Sequence, residues 1–304
     1  MTTELQATEL EATELETAEL ETAELEATDV PARAATPSRR PGVVRIGVSR
    51  ASVELKEFFR QRDSMVFTFL FPVIMLFIFG AVFSKQTLPG GVTFTQYFTA
   101  GMIASGIVLS SFQQLAISIA VERDDGMLKR LRGTPMPPAS YFLGKVGMVL
   151  VTSLVQSAVL LAVGKVSFGL DLPASAGLWL RFAWVFALGT AAGTLLGIAY
   201  SSVSRSARGA GAVVFPVVIV LQFISGVFFT YDSLPSWMQN VAALFPLKWL
   251  TQGMRSVFLP DSFAAQEVTG SWELSRTALV LAAWSVAGLV LCLRTFRWQR
   301  RDAG

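Results

Sequence analysis

The 304-residue sequence contains no histidine and a single cysteine, Cys292. Without imidazole there is no histidine-based metal site, proton relay or catalytic triad. One cysteine excludes a disulfide framework within the chain. Charge is also scarce: 15% of residues are charged, against about 25% in a soluble domain. Nucleotide-binding chemistry is missing too. Gly144-Lys145 and Gly164-Lys165 are each followed by Val, and neither has a Gly five positions before its own Gly, so the phosphate-loop pattern fails. No metal-ligand cluster and no GxSxG before a helix is found. Neither catalytic residues nor a metal site are expected in this chain.

In place of these features stand long apolar runs, with 52% hydrophobic residues and a mean hydropathy of +0.52. That composition points to a polytopic membrane protein. Six spans are predicted, at about 65–83, 97–121, 141–163, 178–203, 211–231 and 277–293. Asp63 and Glu122 sit at span ends, and no acidic residue lies deep in a span. Ion-coupled transport usually uses a buried carboxylate, so energy for any transport has to arrive from elsewhere.

Charge bias sets the expected orientation. Residues 1–30 hold ten acidic residues and no basic one, and the remainder holds 25 basic against 12 acidic. Arg45, Arg50, Lys56, Arg60 and Arg62 precede the first span, and Arg123, Lys129, Arg130 and Arg132 follow the second. Arg205 and Arg208 follow the fourth, and Arg294, Arg297, Arg300 and Arg301 follow the sixth. By the positive-inside rule both termini lie in the cytoplasm.

Outside the spans, residues 4–28 repeat a five-residue unit with Leu5, Leu10, Leu15, Leu20 and Leu25. A step of five distributes these leucines around a helix and gives no apolar stripe. Residues 1–42 therefore read as a disordered acidic tail and linker, and residues 43–304 as the membrane domain. Residues 47–63 mix Val48, Val53, Leu55, Phe58 and Phe59 with Arg50, Lys56, Arg60 and Arg62, which suits an interfacial helix or a plain juxtamembrane linker. Before the last span, Pro246 divides a stretch that reads as two short amphipathic helices on, or dipping into, the outer leaflet.

Three polar or small-residue patterns lie within the spans. Gly189, Gly193, Gly197 and Ser201 recur every four residues, a ridge for close helix approach inside the subunit or at a dimer seam. Gln113 and Gln114 in span 2 and Gln222 in span 5 need partners away from lipid. With Phe112, Phe223, Phe228 and Phe229 they form a candidate translocation path, or else ordinary interhelical hydrogen bonds beside lipid-facing rings.

The most informative segment is 121–145, VERDDGMLKRLRGTPMPPASYFLGK. It places a short, mostly basic loop between two membrane-length helices, and Pro135, Pro137 and Pro138 end any helix there. No enzyme domain fits in it, but a docking surface does. Glu122-Arg123, the run Gly126 to Arg132, Thr134-Pro135 and Tyr141 through Gly144-Lys145 resemble a stretch of type-2 ATP-binding-cassette (ABC) exporter permeases. A second block resembles the same family: Ser225-Gly226-Val227-Phe228-Phe229, Leu234-Pro235, Trp237, Pro246-Leu247 and Gly253-Met254-Arg255. The resemblance covers roughly residues 43–303. The drug-resistance branch, including anthracycline exporter permeases, is the most similar in flavour. Thr230 stands where the pattern has Pro, and the acidic repeat is not part of the pattern.

The resemblance implies an all-α protein of six transmembrane helices with an elbow helix at 47–63 and a coupling helix within 122–140. It implies a separate ABC ATPase subunit that holds ATP and Mg, a second permease subunit (identical or a paralogue), contact with membrane lipids, and no nucleic acid. The coupling loop is then carried by Glu122, Arg123, Gly126, Leu128, Lys129, Arg130, Leu131, Arg132 and Pro135. Glu122 and Arg123 are expected to hold the loop by ion pairing, with Leu128 and Leu131 as apolar knobs. The expected function is ATP-driven export of hydrophobic or amphiphilic, drug-like compounds across a bacterial plasma membrane. Export of a lipid or glycan-linked envelope precursor, or a nontransporting membrane scaffold or sensor, stands as the alternative.

Overall fold

The computed structural model describes residues 42–296 apart from Arg205, with the side chains of Asp63, Ser64 and Phe67 also left undescribed. The acidic repeat at 4–28 lies outside the described residues. The described chain is all-helical. Among the described residues its one β feature is an isolated antiparallel bridge between Thr87 and Thr93.

Eleven α-helices follow in order: α1 Val43–Arg60, α2 Arg62–Val82, α3 Phe94–Val108, α4 Gln114–Asp124, α5 Met127–Arg132, α6 Pro138–Phe168, α7 Ala176–Tyr200, α8 Ala207–Ile224, α9 Ser236–Ala242, α10 Pro246–Phe258 and α11 Leu274–Thr295. A π-helical turn, Leu109–Gln113, joins α3 to α4 into one 31-residue rod, Phe94–Asp124. Local chemistry sets the ends. The side chains of Thr93, Ser175 and Ser206 each accept a backbone N–H of the first turn, satisfying an otherwise unpaired donor. Pro138 and Pro246 stand where a missing N–H costs nothing. Gly169, at φ 65°, closes α6, a conformation that disfavours any residue with a Cβ.

Five helices are long and apolar enough to cross a membrane: the 94–124 rod, α6, α7, α8 and α11. Each contains the greater part of a span expected from sequence. The other expected span, 65–83, coincides with α2, whose described apolar part, Thr68–Val82, is shorter. The fifth expected span ends earlier than predicted, at Ile224, because Gly226 turns the chain at φ 74°. A larger residue there would be strained at this φ and crowded, with its Cβ 3.0 Å from Tyr231 Cβ and 3.2 Å from the Tyr97 hydroxyl.

The glycine ridge of α7 packs inside the subunit. A Cβ on Gly189 would meet Leu250 of α10, and one on Gly193 would meet Ser111. One on Gly197 would lie 2.8 Å and 2.9 Å from the carbonyl oxygens of Ser111 and Phe112. Gly193 and Gly197 therefore let α7 lie against the π-turn, and Gly189 lets it lie against α10, the close approach that small residues permit in lipid.

The helix α10 corrects an expectation. Pro246 divides the segment as predicted, but every residue from Leu247 to Phe258 is buried, so α10 does not lie on a surface. Its polar residues are paired within the fold, which removes the penalty for burying them. Lys248 contacts Gln252 at 2.5 Å, Gln252 donates to the Trp272 carbonyl at 3.2 Å, and Arg255 binds Glu267 bidentately at 2.7 and 3.1 Å. By contrast α9 leaves Trp237 and Val241 exposed, and Leu244 just beyond it is exposed too.

Candidate functional site

The candidate site is the junction where the 94–124 rod gives way to the basic loop. A Gly at position 126 with φ 73° turns the chain and starts the six-residue α5. Lys129, Arg130 and Arg132 are exposed on this turn, as is Pro135 beyond it. Leu128 is different: it is fully buried in an apolar cluster with Leu115, Ile119, Tyr141, Met148 and Val149, against which Leu131 also packs. Leu128 thus anchors the loop to its own subunit and is not a knob presented to a partner. A leucine between basic residues reads as an exposed anchor in sequence; the helix-end packing takes it inside.

The expected ion pairing of the loop takes another form: Glu122 pairs with a different helix, and Arg123 donates to backbone carbonyls. Glu122 pairs with Lys145 of α6 and accepts from the Tyr141 hydroxyl at 2.8 Å. Lys145, 1% exposed, also reaches Glu54 of α1 at 2.7 Å. Arg50 closes the cluster on Glu54 at 2.6 Å. Two carboxylates thus face two cations, the arrangement that makes buried charge tolerable. Arg123 donates to the carbonyls of Ser201 and Ser204, at 2.6 and 2.8 Å, at the end of α7. Asp124 accepts from the backbone N–H of Ala207, at 2.9 Å, at the start of α8.

Glu54 and Asp124 carried no expectation from sequence, and Tyr141 and Lys145 entered as part of the family-like stretch, with no role assigned. Lys145 had been tested as a phosphate-loop lysine and set aside. The signal that could have found it is opposite charge at the facing ends of three apolar helices, each of which needs a partner if buried.

Small residues bring α1 against α6. A Cβ on Gly47 would meet Leu143 at 2.8 Å, one on Gly144 would meet Arg50 at 2.5 Å, and one on Gly147 would meet Ala51 at 2.8 Å. The face of α1 turned inward thus carries Glu54 and Phe58, while Val44 and Val48 are exposed.

The candidate path residues fall into two groups. Phe112 is buried in the π-turn and packs on Tyr200 at 5.3 Å, with Gln113 and Gln114 half-buried beside it. Gln222 is buried near the end of α8. Phe223 packs at a tilt on Phe228, centroids 5.0 Å apart, and lies 6.1 Å from Phe229. Phe223 and Phe229 are about half exposed, and Phe228 also packs on Phe79 and Phe98.

A second buried polar cluster lies at the other end of the bundle. Burial opposes the charge on Arg255, but Glu267 and the surrounding groups more than offset it and raise its pKa. Lys248 is pushed down to about 8 by burial, with Glu273 opposing that fall. Glu273 itself sits at φ 44° and accepts from Arg276 at 2.6 Å.

Similarity to known proteins agrees with this architecture. Over 148 residues the chain is 24% identical to the "Probable multidrug ABC transporter permease YbhR" of Escherichia coli (strain K12), covering 48% of this chain and 39% of that protein. It therefore matches about two-fifths of that relative's length. Over 262 residues it is 25% identical to the "Putative transport permease ycf38" of Cyanophora paradoxa, covering 80% of this chain and 85% of that protein. The profile of the ABC-2 type transporter family matches residues 51–259, which contain the basic loop and most of the junction, and the chain belongs to that family.

Proposed function

We propose that this chain is the membrane subunit of an ATP-driven exporter for hydrophobic or amphiphilic, drug-like compounds in a bacterial plasma membrane. Its energy comes from a separate ABC ATPase subunit that holds ATP and Mg²⁺. The observation that carries this reading is the construction of the loop after Asp124. Its basic side chains are exposed while Leu128, Glu122 and Arg123 bind it to α4, α6 and the end of α7. A surface loop without a partner has no need of so firm a base; a loop that receives mechanical work does.

On this reading α2 is a sixth span, both termini are cytoplasmic, and residues 43–304 form one membrane domain that pairs with a second permease subunit. The exposed valines and buried charged face of α1 suit an elbow helix at the lipid interface. Membership of the ABC-2 type transporter family supports a transport permease, and the printed multidrug name of the E. coli relative supports the class of cargo. The group of Phe223, Phe228 and Phe229 beside Gln222 suits an amphiphilic solute, offering apolar faces and one amide.

The test is co-purification of the full chain from native membranes in mild detergent, with mass spectrometry and an ATP hydrolysis assay. An ATPase subunit is expected with the native chain and is expected to be lost when Lys129, Arg130 and Arg132 are all changed to Glu. Recovery of the chain alone in several detergents overturns the reading.

A further inference from the structure

Glu122, Arg123 and Asp124 are consecutive on a helix, so their side chains fan out about 100° apart. Each takes a different partner. Glu122 holds α6 and, through Lys145, α1. Arg123 holds the carbonyls that end α7, and Asp124 holds the first N–H of α8. The charges suit their targets: a cation favours the carbonyl end of a helix and an anion favours the amide end. Between these two grips lies the α7–α8 turn, which Ser204 and Ser206 stiffen with hydrogen bonds of their own.

We infer that Asp124 is a positioning residue that makes α8 follow the loop. This rests on the proposal that an ATPase moves that loop. Without the Asp124 grip, the loop stays fastened to Ser201 and Ser204 through Arg123, and the start of α8 follows only loosely, through the turn and its packing on α4. With it, displacement passes to Ala207 and along α8. Gln222 and Phe223 lie 15 and 16 residues further on, roughly 23 Å away as a helix. The role of Asp124 is to carry motion toward them.

The test uses the full chain purified with its ATPase subunit in lipid nanodiscs, followed by amide hydrogen exchange with and without ATP–Mg²⁺ and vanadate. In the native complex, nucleotide is expected to change exchange both at 125–134 and at 201–212. Asp124→Ala is expected to preserve the change at 125–134 and to reduce the change at 201–212 severalfold. Asp124→Asn keeps an acceptor oxygen and is expected to restore most of it.

Ala207→Pro is the second variant. It deletes the donor with no change of charge, at the first helical position, where proline is tolerated, and after Ser206, whose extended φ −146°, ψ 157° suits a following proline. It is expected to uncouple as Asp124→Ala does. A native-like response at 201–212 in both uncoupling variants overturns the inference, as does a native complex whose loop responds while 201–212 does not. If nucleotide leaves 125–134 unchanged in the native complex, the ATPase-coupling proposal itself fails and this role falls with it.

Discussion

The two ends of the bundle both bury charge, but they assemble it differently. At the loop end, Lys145 joins Glu54, 91 residues away, and Glu122, 23 away, while Arg123 reaches carbonyls 78 and 81 residues on. At the opposite end, Arg255 holds Glu267, 12 residues away, Lys248 holds Gln252, four away, and Arg276 holds Glu273, three away. That end is mostly one folded segment, 226–276. It is fastened to the rod where the Tyr231 N–H donates to the Tyr97 hydroxyl and Arg255 lies over the Tyr97 ring. One cluster joins charges carried by different helices; the other joins charges within one segment, which is itself packed on α3, α7 and α11. A push on the first acts on several helices through their charges, whereas the second reaches its neighbours mainly through packing.

The strongest way to break this comparison is to remove each central cation. Lys145→Leu leaves Glu54 and Glu122 facing Arg50 alone, and Arg255→Leu leaves Glu267 unpaired. Each is expected to cost about 3–5 kcal/mol, read as a loss of thermal stability in detergent. Hydrogen exchange separates them. Lys145→Leu is expected to loosen α1, the start of α6 and 122–134 together, and Arg255→Leu mainly 226–276. Equal spread in both variants would erase the distinction.

Between the two ends lies the glycine contact of α7 on the π-turn. Gly197→Leu is expected to cost about 1–3 kcal/mol, because a Cβ would press on two backbone carbonyls that cannot rotate away. A thermal unfolding midpoint equal to that of the native chain would show that the contact is looser than the structure has it.

The opposite end should also respond to pH. Lys248 titrates at about 8 in the folded chain, below the ordinary lysine value of about 10.4. The unfolded chain therefore binds more protons between these values, and stability is expected to rise as pH increases from 8 toward 10. Above about 10 the trend reverses. Burial pushes Tyr231 up to about 12, so the unfolded tyrosine ionises first and the folded state loses ground. Lys248→Met is expected to flatten the rise below pH 10 in a melting-temperature series; a rise of the same size in that variant would place its origin elsewhere. The smallest effect belongs to the exposed loop cations. Lys129→Ala with Arg130→Ala is expected to change stability by no more than about 0.5 kcal/mol while weakening recovery of the ATPase. A larger drop in melting temperature would mean these side chains bear on the fold.

Much of the helical layout was legible because apolar length and end signals act locally. The 94–124 rod, α6, α7 and α11 each enclose an expected span nearly completely, and Pro246 marks the break before α10. The burial of α10 was not legible, since Lys248, Gln252 and Arg255 make it look amphipathic until Glu267, Glu273 and the Trp272 carbonyl are brought to them. The loop was found from its charge and prolines, but Leu128 was given the wrong side of the surface. Which way a leucine faces on a six-residue helix depends on neighbours 20 residues away.

By itself the sequence determined the class of this protein, the positions of its apolar helices and the place of its basic loop. Hydropathy, prolines and helix caps work over a few residues and need no distant partner. Tertiary structure alone decided that Glu122 meets Lys145, that Arg123 and Asp124 clasp the end of α7 and the start of α8, and that the glycines of α7 face the π-turn. Those contacts join residues tens of positions apart. A charge at a helix end reads the same in sequence whether it meets water, lipid headgroups or a buried counter-charge, and only packing settles which.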